Sequence, residues 1–245
     1  MQLPARIPAV GWLSVRRPQA FDRRLAAGLF SLAGIGVLLT AGLTSSPAVP
    51  LPEPDPGAAR ALVALMRAGE GKSWLSTYDF TRTLADGRRL RQTMQEGRSP
   101  ELHVLTAGSA MTIQGPTRTY SCTLVDTGSA CHQQATGRTL PESEVLRVAI
   151  AAGAYGVTRQ AGATIAGEPA SCFRVLATGR GGLPDVGVET DVCLAPDGIA
   201  LRDRVVRATG AVDERTVRAI RRDVTTAEVE QLARGFDPES GSGPR

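Results

Sequence analysis

The chain has 245 residues, 42% of them apolar and 21% charged, a balance that fits a globular protein and excludes a disordered one. Its formal charge of +4 comes from the start of the chain: Arg6, Arg16, Arg17, Arg23 and Arg24, offset by Asp22, precede residue 45, and 23 basic and 23 acidic residues remain from Ser45 onward. A neutral body lacks the surplus of cations that neutralises phosphates, so no nucleic-acid partner is expected.

Residues 25–43 (LAAGLFSLAGIGVLLTAGL) are uncharged and mostly apolar. As a helix rising about 1.5 Å per residue, they are long enough to cross a hydrocarbon core of about 30 Å. They are also longer than the apolar core of most signal peptides. The basic flank, residues 1–24, predicts that this end stays in the cytoplasm and the rest lies outside. An uncleaved signal anchor is the expectation, with a signal peptide cut near Ser46-Pro47-Ala48 or Thr40-Ala41-Gly42 as the alternative. Residues 44–56, with five prolines between Ser46 and Pro56, form a semi-extended linker. A single domain is expected over 57–236 and a disordered tail over 237–245.

Within the domain, Asp55 as N-cap and Pro56 at the first helical position open a helix through Ala61, Leu62, Leu65 and Met66 that stops near Gly69 or Gly71. Strand alternation follows: Tyr78, Phe80 and Leu84 share a parity, Asp86-Gly87 makes a hairpin turn, and Leu90 and Met94 resume on the return. Further strands are expected at 101–106, 109–114, 117–125 and 130–136. Thr139-x-x-Glu142 reads as the capping box of a second helix, with Val145, Leu146, Ala149 and Ile150 on one face and Gly153 at its end. Strands at 155–160, 171–177, 187–194, 199–207 and 215–222 come next, with a one-face stripe of Val186, Val188, Val192 and Leu194. A second capping box, Thr225-x-x-Glu228, opens a last helix that buries Val229, Leu232 and Phe236. Consecutive strands joined by short turns give an antiparallel meander crossed by helices, an α+β fold.

All four cysteines, Cys122, Cys131, Cys172 and Cys193, follow the apolar segment, and an even number in an exported chain reads as a disulfide set. Three connectivities are possible. Cys122–Cys131 with Cys172–Cys193 is favoured, because each pair brackets a turn-rich stretch between neighbouring strands. A zinc site at Cys131-His132 lacks the usual ligand spacing.

Chemistry is harder to find. Neither His103, in a candidate strand, nor His132 sits in a G-x-S-x-G, H-E-x-x-H, P-loop or G-x-G-x-x-G context. Glu168, Asp185, Glu189 and Asp191 read as solvated charges rather than an acid–base pair. Arg88-Arg89-x-Arg91 and Arg221-Arg222 read as polar strand positions. No catalytic residue, cofactor site or metal site is expected.

One resemblance organises these features. The order is an exported leader, the helix ALVALMRAG, a W-x-x-x-Y-x-F strand, a D-G hairpin and a central helix. TIAGEPASCFRV (164–175), CLAPDGIALR (193–202) and a closing strand with a short helix follow. This order resembles the LolA/LppX-like group of bacterial envelope lipoprotein carriers, which includes LppX- and LprG-related proteins, and the two cysteine segments look like its actinobacterial members. The resemblance implies a curved, half-open antiparallel sheet, a half-barrel, with helices on its concave face and a cleft between them for acyl chains. The cleft candidates are then Tyr78, Phe80, Leu84, Leu146, Ile150, Val188 and Val192. Unlike the lipoprotein members, this chain has no cysteine just after the apolar run to carry a lipid. The implied role is non-enzymatic binding of a lipid or other hydrophobic ligand outside the cytoplasm. The alternative is a membrane-tethered sensor that binds an envelope protein, as RseB-like regulators do, without a lipid. A hydrolase using His103 or His132 is a third reading. A cavity beneath the helix at 141–152 would favour ligand binding, and a close-packed interior would favour the protein partner.

Overall fold

A computed structural model describes residues 53–125, 128–136, 140–179 and 187–234. The Asp55 carboxylate accepts from Gly57 N–H at 2.7 Å and so caps helix α1 (Pro56–Glu70), which ends at the C-cap Gly71. Six strands follow: β1 (Trp74–Thr83), β2 (Arg89–Arg98), β3 (His103–Ala107), β4 (Ala110–Gln114), β5 (Arg118–Val125) and β6 (Gly128–Thr136). Helix α2 (Glu142–Ala151) separates them from β7 (Tyr155–Arg159), β8 (Ala163–Ile165), β9 (Glu168–Ala177), β10 (Glu189–Leu194), β11 (Ala200–Val206) and β12 (Val212–Arg222). Helix α3 (Thr226–Leu232) comes last.

The strands form one antiparallel sheet in the order β6-β5-β4-β3-β2-β1-β12-β11-β10-β9-β7, with β8 paired to β9. It is two meanders joined where β1 pairs β12, through a register that slips between Thr77 and Tyr78. That bulge bends the central strands. The sheet is unclosed, with β6 and β7 at its ends. Gln114 on β4 and Tyr155 on β7 line the same cavity although eight strand steps separate them. At about 4.8 Å per step a flat sheet would hold them roughly 38 Å apart, so the sheet curls towards that face.

The helices divide between the two faces. On β1, Trp74, Ser76, Tyr78 and Phe80 alternate inward. The aliphatic side of α1 and α2, with fully buried Leu62, packs with Tyr155, Phe173 and Val175 on that concave side. The expected helices on the concave face are α1 and α2, and α3 does not join them. Glu96 faces the cavity, and its neighbour Gly97 faces the other way, where an added Cβ would lie 2.7 Å from Leu232 and 3.2 Å from Val229. Glycine at that position lets α3 settle on the convex face, against Val104, Met111 and Ile113.

Two of the three caps follow the expected pattern. The Thr225–Glu228 capping box is present at α3, with Thr225 N–H donating to Glu228 Oε2 at 2.8 Å. α2 is different. Its N-cap is Pro141, which offers no side-chain acceptor, and Thr139 lies outside the described residues. Glu70 at the end of α1 does the work instead, accepting from Ser143 N–H at 2.8 Å and Ser143 Oγ at 2.9 Å. The two helices are thereby locked end to end.

Residues 1–52 and 235–245, which contain the expected 1–24, 25–43 and 237–245 segments and most of the linker, lie outside the described residues, as does Val186. Among the described residues no helix is long and apolar enough to cross a membrane.

Candidate functional site

Between α1, α2 and the concave face lies a cavity of about 220 Å3. Its roof is Leu62 and Met66 of α1 with Val145, Leu146 and Ala149 of α2. One wall is apolar and comes from the second meander: Tyr155, Val175, Val192 and Leu194. The opposite wall comes from β2, β3 and β4 and carries Glu96, Arg98, His103 and Gln114. Trp74 and Tyr78 of β1, with Asp203 and Arg215, complete the floor.

The floor is an ion network removed from water. Arg215, only 8% exposed, donates to Asp203 Oδ2 at 2.7 Å and to Glu96 Oε2 at 3.1 Å. His103 Nε2 lies 2.7 Å from Glu96 Oε1. The Arg215 guanidinium also stacks over the Tyr78 ring, 5.1 Å from its centroid. Burial pushes the Glu96 carboxyl up, but the Arg215 charge and the His103 hydrogen bond outweigh it and hold the group at about 2. For Asp203 burial wins, and its carboxyl lies above the usual range despite Arg215. Burial, followed by the Glu96 charge, raises the Tyr78 phenol well above its ordinary value. That hydroxyl stays protonated and donates to Ala200 O at 3.3 Å.

Of the seven expected cleft residues, Tyr78, Leu146 and Val192 line this cavity. Phe80 shares the parity of Tyr78 but is buried further along β1, with Arg82 stacked on its ring. Leu84 lies past the end of β1, where its N–H closes the hairpin on Arg88 O at 2.8 Å. Ile150 packs into the core beside the cavity without lining it. Val188 precedes β10 and is 43% exposed. The sequence reading missed the charged floor. Its one available signal is parity: Glu96 shares a face with Met94, and Arg215 with Val217, so each is a charge at an inward position of a strand.

The cysteines pair as favoured, Cys122–Cys131 and Cys172–Cys193, each across a directly opposed strand position. With its sulfur bonded, Cys131 offers no thiolate for a metal. Among the described residues no group of His, Cys, Asp or Glu side chains is placed to hold a metal ion. Glu189 and Asp191 are paired with Arg204 and Arg174 on the opposite side of β10 from Val192.

No family model matches the chain, and no curated protein does. Solved structures do match. A chain of the Pseudomonas aeruginosa MucA/MucB complex superposes with a TM-score of 0.50 at 18% identity, covering 72% of this chain and 60% of that one. MucB crystallised alone gives 0.49 at 16% identity, over 74% and 64% of the two chains. A LolA superfamily protein from Nitrosomonas europaea gives 0.34 at 8% identity, over 68% and 95%. The fold is that of the matched chain in the MucA/MucB complex. The likeness is one of fold, and the chain spans 60% of the length of the chain from the MucA/MucB complex.

Proposed function

We propose that this chain is a non-enzymatic binding module of the cell envelope, tethered to the cytoplasmic membrane by residues 25–43, that holds a lipid or other hydrophobic ligand between α1, α2 and the sheet. The observation that carries this reading is the cavity itself: a space of about 220 Å3 with an aliphatic wall and roof, covered by two helices that are not part of the sheet. A concave, mostly apolar lining with a few convergent polar groups is the usual setting for a small hydrophobic ligand. The volume is below the roughly 300–1,000 Å3 of pockets for drug-sized ligands, so one acyl chain is a better occupant than a two-chain lipid. Native mass spectrometry of the full chain extracted from membranes is expected to show a co-purifying amphiphile. A clean apo mass together with no uptake of a fluorescent fatty acid would overturn the reading.

A second reading has its own support. The solved structure with a TM-score of 0.50 is a complex of MucB with MucA, and this chain would then bind an envelope protein rather than a lipid. A stable membrane partner recovered with the tagged full chain, with no amphiphile bound, favours it.

A further inference from the structure

We propose that the ligand is a single-chain amphiphile with an anionic head group, carboxylate or phosphate, held by Arg98 with its tail against the wall formed by β7, β9 and β10. This rests on reading the cavity as a hydrophobic-ligand site and specifies the chemistry of that site.

Three guanidinium groups line the cavity, and two are committed. Arg215 is held by Asp203 and Glu96. Arg207 donates to Asp213 Oδ2 from Nε at 3.1 Å and from Nη2 at 3.0 Å. Arg98 makes no hydrogen bond or ion pair among the described residues. The one carboxylate on its own strand that faces the cavity, Glu96, is already bound to Arg215 and His103. A half-buried arginine without an acceptor at the edge of an apolar space is a site for an oxyanion, because the guanidinium fork donates two parallel hydrogen bonds to carboxylate or phosphate.

The register places this site. Arg98 is opposite Trp74 on β1 and opposite His103 on β3, and His103 is opposite Gln114 on β4, so the four side chains form one row across the sheet. The apolar wall, with Tyr155, Val175, Val192 and Leu194, belongs to the other meander. The cavity is therefore polar at one end and aliphatic at the other, which fixes the direction of a bound amphiphile. Glu142, the first residue of α2, also lines it and makes no ion pair among the described residues. Its charge keeps an anion on the sheet side, against Arg98, and away from the α2 terminus.

The experiment uses the full chain held in an amphipol, with Trp12→Phe so that Trp74, buried in the cavity lining, is the only emitter. Lauric acid, dodecyl phosphate, monolaurin and dodecylamine share a tail and differ in head group. At low salt, Trp74 titrations are expected to show both anions binding about tenfold tighter than monolaurin, the size of one charge-assisted contact. Arg98→Ala should erase that difference and leave monolaurin affinity within about twofold, and Arg98→Lys should restore part of it. Relative affinities of laurate and dodecyl phosphate then separate a carboxylate from a phosphate ligand. Monolaurin or dodecylamine binding as tightly as the anions, or an Arg98→Ala variant that keeps the preference, overturns the head-group assignment while the cavity reading stands. No binding by any of the four overturns both.

Discussion

Arg215 is the residue on which the buried charges depend. It neutralises two carboxylates at once, Glu96 and Asp203, with all three nearly excluded from solvent. Removing the one cation of such a group leaves uncompensated charge in the interior, at a cost of about 3–5 kcal/mol. Arg215→Met is expected to lower urea-unfolding stability by about that much, whereas Arg218→Met, at an exposed pair with Asp79, should change it by less than about 1 kcal/mol. The two carboxylates respond to acid in opposite senses. Glu96, held at about 2, stabilises the fold above the unfolded carboxyl range near 4.3, and that contribution is lost as pH falls towards 2. Asp203, raised by burial, takes up a proton more readily folded than unfolded, so acid relieves a penalty it imposes at neutral pH. Urea midpoints measured against pH should therefore show Glu96→Gln flattening the loss between about pH 4.3 and 2, and Asp203→Asn costing less than Glu96→Gln at pH 7. Equal costs and unchanged acid slopes in both variants would contradict this assignment.

At the scale of elements, the roof of the cavity stands on a backbone-to-backbone contact. Gly198, in the β10–β11 turn at φ +87°, approaches α1 so closely that a Cβ there would lie within 3 Å of both Leu65 O and Gly69 N. From the other side, a Cβ on Gly69 would come 2.5 Å from Gly198 O. Alanine in a helix interior is ordinarily better than glycine by about 1 kcal/mol. Here Gly69→Ala should instead destabilise by about 1–3 kcal/mol through overpacking. Gly71→Ala, where an added Cβ meets nothing within 4 Å, should be close to neutral. Urea denaturation distinguishes the two, and a neutral Gly69→Ala would mean that α1 is not seated against this turn. The contact also marks where the sequence can be read and where it cannot. Asp55 and Thr225 cap their helices through hydrogen bonds spanning two or three residues, so both starts were legible. The cap of α2 comes from Glu70, 73 residues before Ser143, and no local pattern records it. The short β8 was missed for a different reason. It has three residues, and its turn to β9 uses Ala166 at φ +52° before Gly167, a conformation that alanine does not advertise. The cavity was half legible: alternation placed Tyr78 and Val192 on one face of their strands, but a charge at an inward position, such as Glu96, carries no local mark of the distant Arg215 that neutralises it.

Across the whole molecule, the two meanders are joined by the β1–β12 ladder, whose first pair, Trp74 and Arg222, lies far apart in sequence. Periodicity gives the face of each strand but not its partner, so this closure could not be read ahead of the structure. The disulfides do not span the join: each staples one meander, Cys122–Cys131 across β5 and β6 and Cys172–Cys193 across β9 and β10. Cysteines opposed at Cα separations of 4.0 and 4.1 Å would also pack as paired thiols if the chain matured in a reducing space. Compartment is therefore the question that chemistry can decide. Alkylation of the unreduced, denatured full chain is expected to label no sulfur, and alkylation after reduction to label four. Loop-entropy arithmetic for separations of 9 and 21 residues gives about 2.6 and 3.3 kcal/mol for the two bonds, so the reduced chain should unfold at clearly lower urea, and the Cys172→Ser/Cys193→Ser variant should lose slightly more than Cys122→Ser/Cys131→Ser. Four labelled sulfurs before reduction would place the domain in a reducing space. The outward orientation that the flanking charges of residues 25–43 predict, and with it the envelope function, would then fail together.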